Sequence, residues 1–167
     1  YFPSWIMGLK PDMKIMQTTH TAELSARFGR KVRNLMDTTE YKHIFENVSL
    51  SADSKSAGRW ETSHGGEYFA AGVGGAITGR GADLLIIDDP HSEQDALSPT
   101  ALESAYEWYT SGPRQRLQPG GAIVIVMTRW STLDLTEKLL RRMGEDHSDQ
   151  WEVLELPAIL ESGKPLW

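Results

Sequence analysis

The chain has 167 residues, 40% of them hydrophobic and 24% charged, with a formal net charge of −6 at pH 7; these are the proportions of one ordinary globular domain long enough to bury a core. No apolar stretch approaches ~18 residues, so no transmembrane helix is expected, no secretory leader is visible, and the absence of cysteine excludes disulfides and thiolate metal sites and suits a reducing cytoplasm. The acidic balance argues against a surface given over as a whole to nucleic acid, although Arg27, Arg30, Lys31 and Arg33 cluster, as do Lys138, Arg141 and Arg142, and such local faces either track phosphates or are simply solvated.

In chain order, "MKIMQTT" (13–19) reads as a short strand after the breakers Gly8 and Pro11. Leu24, Phe28, Val32, Leu35 and Met36 then recur at helical spacing, with Thr19 or Thr21 available as N-cap and the basic residues facing outward. Residues 37–58 read as polar and irregular. "RWETS" (59–63) and "EYFAAGV" (67–73) flank "HGG" as a hairpin would. The glycine-rich "GVGGAITGRGAD" (72–83) suits either close backbone approach or a mobile loop, and lacks the Walker A spacing. "DLLIIDD" (83–89) does not alternate, which marks a strand buried on both faces.

Ser98 and Pro99 cap and open a helix whose inner face is Leu102, Ala105, Tyr106 and Tyr109. "GAIVIVMT" (121–128) is a second non-alternating strand. Ser131 and Asp134 form a capping box for a helix through Met143, with Leu135, Leu139, Leu140 and Met143 inside. "WEVLELPA" (151–158) reads as a last strand. Strands alternating with helices predict an α/β fold: a mostly parallel sheet with helices on both faces.

Ligands of such sheets bind beyond the carboxyl ends of the strands. Here one strand ends in Asp88-Asp89 and another in Thr128-Arg129. Side by side, they would bring together two carboxylates, a hydroxyl and a guanidinium. One carboxylate can hold Mg²⁺, the other can orient or deprotonate water, and phosphoryl transfer needs little beyond positioning and charge stabilisation. The alternative at this point is a strand end capped by solvated acids in a turn. A two-metal nuclease would need more carboxylates around one phosphate. Asp83 lies at the far end of its strand, roughly 16 Å from Asp88 at strand rise, and His91, Glu93 and Asp95 read as loop residues.

"GGAITGRGADLLIIDDP" followed by "GGAIVIVMTRWSTLDL", with "YFPSWIMG" and "FGRKVRNLM" before them, closely resembles the ATPase half of tailed-phage terminase large subunits. The resemblance spans almost the whole chain and implies a P-loop NTPase-like fold of the ASCE type. It implies that Asp88 ends a Walker B strand and coordinates Mg²⁺, that Asp89 is the catalytic carboxylate, and that Thr128 and Arg129 belong to the coupling motif. It also implies that Arg80 matches an arginine which in some relatives acts on a neighbouring subunit's nucleotide. The family's Walker A loop is expected before Tyr1 and its nuclease domain after "SGKPLW". Residues 1–167 then form a central piece of the ATPase domain, without ATP hydrolysis of its own.

The implied partners are ATP, double-stranded viral DNA, the portal protein, the terminase small subunit and further copies in a homo-oligomeric ring, in the cytoplasm of a bacterial host. The competing expectations are a helicase, a metal-dependent nuclease using Asp88 and Asp89, and a non-catalytic, prophage-derived module that binds DNA or protein.

Overall fold

The computed structural model describes residues 1–53, 56–77 and 79–166; Thr78 of the glycine-rich segment and Trp167 of the terminal "SGKPLW" lie outside these. In chain order the elements are α1 (Phe2–Leu9), β1 (Lys14–Thr19), α2 (Ala22–Met36), α3 (Thr39–Ile44), β2 (Arg59–Glu61), β3 (Glu67–Gly72), β4 (Ala82–Asp88), α4 (Pro99–Ser111), β5 (Leu117–Val126) and α5 (Leu135–Arg142), with short 3-10 turns on either side of α4.

The strands form one sheet in the order β2-β3-β1-β4-β5. β3, β1, β4 and β5 run parallel, and β2 pairs antiparallel to β3 as the hairpin pattern predicts.

Successive side chains of a strand point to opposite faces, and the non-alternating runs therefore feed two separate cores. On one face Leu84 and Ile86 of β4 meet Met7, Val32, Met36 and Tyr41 from α1, α2 and α3. On the other, Leu85 and Ile87 meet Tyr106, Tyr109, Leu135 and Leu139 from α4 and α5. The predicted layers are present, and α4 is capped by Ser98 and buries the four expected residues. Among the described residues no helix is long and apolar enough to cross a membrane.

Helix α2 lies closer to the sheet than its apolar spacing implies. Its buried line is Ser25, Gly29, Val32 and Met36, while Leu24, Phe28 and Leu35 are half-covered. Small residues permit this: the Ser25 hydroxyl donates to the Gln17 carbonyl of β1, and a methyl group on Gly29 would come within 2.6 Å of the Ala57 carbonyl oxygen. Thr21 is the N-cap, and its hydroxyl accepts from Leu24 N–H.

Five features differ from the expectation. Residues 37–58 include α3, a single polar turn capped by Thr38, and α1 forms ahead of the first strand. β5 begins earlier and ends earlier than expected, with a register shift against β4 between Ala82 and Leu84. The N-cap of α5 is Asp134, whose carboxylate accepts from Glu137 N–H; the Ser131 hydroxyl accepts instead from Leu133 N–H within the preceding turn. Residues 151–157 form no strand. Trp151 packs onto the second core, but Val153, Leu154 and Leu156 stay exposed: a strand needs a neighbour for its backbone N–H and C=O groups, and among the described residues none pairs with this segment.

Candidate functional site

β4 and β5 are adjacent and parallel, and their last rung pairs Asp88 with Val126. Beyond it the two chains stay joined. Asp89 N–H donates to the Val126 carbonyl at 2.9 Å, and Thr128 N–H donates to Asp89 Oδ1 at 3.2 Å. On the other side, His20 N–H from the end of β1 donates to the Asp89 carbonyl at 3.1 Å. These bonds hold Asp89 at a φ of 45°, in the left-handed region that side chains disfavour, at a cost on the order of 1–3 kcal/mol. A strained, over-determined carboxylate at the end of a buried strand is a feature that concentrates at functional sites.

Asp88 lies on the α1–α3 face, in line with Leu84 and Ile86. Among the described residues its carboxylate has no hydrogen-bond partner. Burial pushes its pKa up and the neighbouring charge of Asp89 pushes it further the same way, so the proton is held more tightly than in water. Beneath it the Tyr68 hydroxyl donates to Gln17 Oε1 at 2.7 Å, and Tyr68 stacks on Trp60. Burial raises the Tyr68 pKa, with a further contribution from Asp88, so this floor is neutral and rigid.

Asp88 and Asp89 are hard oxygen donors, the kind Mg²⁺ takes from a protein when phosphate and water supply the remaining ligands. Among the described residues there is no group of three potential metal-binding side chains, so a site closed by protein alone is not built here.

The four elements converge unevenly. Asp88, Asp89 and Thr128 come together, with the Thr128 side chain exposed. Arg129 is adjacent in sequence but turned to α5: its Nε donates to Asp134 Oδ2 at 3.0 Å and its Nη2 to Glu137 Oε2 at 2.7 Å. Asp134 is fully buried and also accepts from Trp130 and Ser131 N–H groups. Burial alone would raise its pKa, but the Arg129 guanidinium and the backbone donors outweigh that and hold it below the usual range. Arg129 thus organises the turn between β5 and α5.

Arg80 sits at the opposite end of β4. Its Nη1 pairs with Glu67 Oε1 at 2.5 Å and its guanidinium lies 4.4 Å from the Phe69 ring centroid. Asp83 is at that end too, as expected, accepting from Lys14 N–H at 2.8 Å.

His91 is the residue that sequence reasoning set aside. It is 3% exposed, and its Nε2 accepts from Leu135 N–H at 3.0 Å. Nothing in the local pattern announces this, because the burial of a loop residue depends on where a helix 40 residues later docks.

Fold and site together define an α/β protein with a five-stranded, mostly parallel sheet, helices on both faces, and paired acids at the carboxyl end of a central strand. The chain matches no protein-family model and no curated protein.

Proposed function

We propose that this chain is the Walker B and coupling part of an ATP-hydrolysing DNA-packaging motor of the terminase large-subunit kind. The observation that carries the reading is the meeting of Asp88, Asp89 and Thr128 at the ends of two adjacent parallel strands. In this reading Asp88 would hold Mg²⁺, which supplies neutralisation of phosphate charge. Asp89 orients and deprotonates the attacking water, and Thr128, joined to Asp89 through its backbone, faces the terminal phosphate with its hydroxyl. Arg129 fixes the coupling segment against α5.

The open edge of the sheet supports the same reading. β5 runs through Ile123-Val124-Ile125-Val126 with no charge in that run, Val126 is 56% exposed, and among the described residues no strand other than β4 pairs with β5. Edge strands are ordinarily blunted by charge, proline or cover. An apolar strand beside β5 would cover this edge, and the phosphate-gripping Walker A loop would enter the site at its end. Arg27, Arg30 and Lys31 on the outer side of α2 are exposed and form no ion pair among the described residues; they suit contact with the DNA backbone. Lys138 and Arg141 are already engaged, with Glu103 and Glu137.

The test is Mg²⁺-dependent ATP binding and turnover by the polypeptide that carries this chain together with its Walker A segment. Asp89→Asn is expected to keep nucleotide affinity and lose hydrolysis, and Asp88→Asn to weaken Mg²⁺-dependent affinity as well. Near-normal turnover in Asp89→Asn would sink the assignment, and Mg²⁺-dependent DNA cleavage that needs both acids would replace it with a nuclease.

A further inference from the structure

The loop that carries Asp89 is tied down a second time, two residues further on. His91 follows Pro90 into the interior, and its Nε2 accepts from the N–H of Leu135, the first residue of α5. The first four N–H groups of a helix have no partner within it. Asp134 satisfies that of Glu137 and His91 that of Leu135, so two different loops cap one helix end. Accepting requires a lone pair on Nε2, which fixes the ring as the neutral tautomer with its proton on Nδ1. Burial favours the neutral form.

On its other side the ring is loosely held. Among the described residues Nδ1 has no hydrogen-bond partner, and an open cleft of about 270 Å³ lies beside the loop, lined by His20, Gly74, Pro90, His91, Asp95 and Ser104 among others. The space gives the loop somewhere to go if the bond to Leu135 is lost, and Asp89, strained at positive φ, has a conformational reason to go there.

We propose that His91 is a positioning residue: its Nε2 latches the acid loop to the first turn of α5, so that Asp89 and the Thr128–Asp134 segment are held as one body. The proposal rests on the ATPase reading for its effect on catalysis, but the latch itself stands on geometry alone. His91 touches no reacting atom; it acts through Asp89. Without the latch the Asp89 carboxylate is misplaced for its water, which lowers kcat, while Asp88, held within the β4 ladder, keeps its place and KM for ATP changes little.

Two amides separate the latch from mere packing. In His91→Gln the side-chain oxygen lies as many bonds from Cβ as Nε2 does and can accept from Leu135 N–H. In His91→Asn the oxygen lies one bond nearer and falls short. In the ATP-hydrolysing polypeptide, Asn and Leu at position 91 are expected to lower kcat about tenfold or more with KM for ATP within about twofold, while Gln stays within about threefold of wild type. The proposal is overturned if Gln falls as far as Leu, or if Asn and Leu keep wild-type kcat.

Hydrogen exchange of the Leu135 amide in the 167-residue chain reads the latch directly. Protection is expected in wild type and Gln and reduced about tenfold or more in Asn; equal protection in Asn and wild type overturns the latch whatever the enzyme does. If Asp89→Asn hydrolyses ATP normally, the ATPase reading has failed, and the exchange pattern still decides the latch.

Discussion

The two ends of β4 carry the same kind of residue and treat it in opposite ways. At the amino end Asp83, Arg80 and Glu67 all have partners: Asp83 accepts a backbone N–H from β1, Arg80 pairs with Glu67 and lies over Phe69, and Glu67 also takes Arg59 at 2.9 Å. At the carboxyl end Asp88 is half-buried beside Asp89 with its carboxylate unbonded among the described residues, Asp89 is strained, and Thr128 is exposed. Folding alone would not retain the second arrangement, because burying a carboxylate without a partner next to another is unfavourable. On the proposed ATPase reading, the chemistry belongs to the carboxyl end and the amino end is structural.

The largest expected effect contrasts the two ends directly. In the ATP-hydrolysing polypeptide, Asp89→Asn should lower kcat about a hundredfold or more, the range for losing a general base, while Asp83→Asn should stay within about twofold. Comparable losses from both would erase the distinction between the ends.

Next comes the turn that supports the site. Asp134→Ala removes a buried N-cap that serves Arg129 and the N–H groups of Trp130, Ser131 and Glu137. A cap alone contributes about 1 kcal/mol, and the stranded donors add to it, so a loss of about 2 kcal/mol is expected. Urea unfolding of the chain should show a lower midpoint at unchanged m-value. No shift in midpoint would mean that the turn after β5 is held by something other than Asp134.

Much of this contrast could be read from the sequence, for a physical reason. Two apolar runs that do not alternate read as parallel strands of one sheet, and if the strands are neighbours, as β4 and β5 are, their polar ends fall at the same end of it; β5, at the edge, is only partly covered. What stayed hidden depends on partners distant in sequence. Arg129 was grouped with the acids because it follows Thr128, but Asp134 and Glu137 lie within its reach once the turn into α5 forms. Residues 151–158 have strand composition, yet a strand exists only with a neighbour. α1 was missed because Pro3 and Gly8 within eight residues mask its periodicity, and α3 because one polar turn has almost none.

Asp88 offers a smaller effect with an unusual sign. Its folded pKa is raised, so the folded chain binds the proton more tightly than the unfolded one. Its contribution is therefore favourable at low pH and lost as pH rises through the folded pKa, and at neutral pH the ionised group opposes folding. Asp88→Asn should stabilise the metal-free chain at pH 7 by about 0.5–1 kcal/mol, with the gain fading as pH falls below the ordinary carboxylate range. Mg²⁺ should stabilise wild type more than the variant, since a ligand of the native state shifts unfolding by mass action. A destabilised Asp88→Asn would mean that this carboxylate has a structural partner after all, like those at the other end of the strand.

The smallest effect is expected at Arg80, and it is the sharpest check on the amino end. The guanidinium is one-quarter exposed and has two partners, the Glu67 carboxylate and the Phe69 ring. A partly exposed ion pair contributes about 0.2–1 kcal/mol and a cation over an aromatic face about as much, so Arg80→Ala should lower stability by about 1 kcal/mol. A double-mutant cycle with Glu67→Gln isolates the ion pair, and a coupling of about 0.5 kcal/mol is expected. Turnover should be unchanged, because β4 spans roughly 20 Å at strand rise and keeps Arg80 away from its own chain's Asp88. The opposite pattern, full stability and zero coupling to Glu67 but turnover down about a thousandfold, is the scale of an arginine supplied to a neighbour's nucleotide. That result would show Arg80 leaving Glu67 in the assembled ring, and the amino end would then carry chemistry for the adjacent subunit.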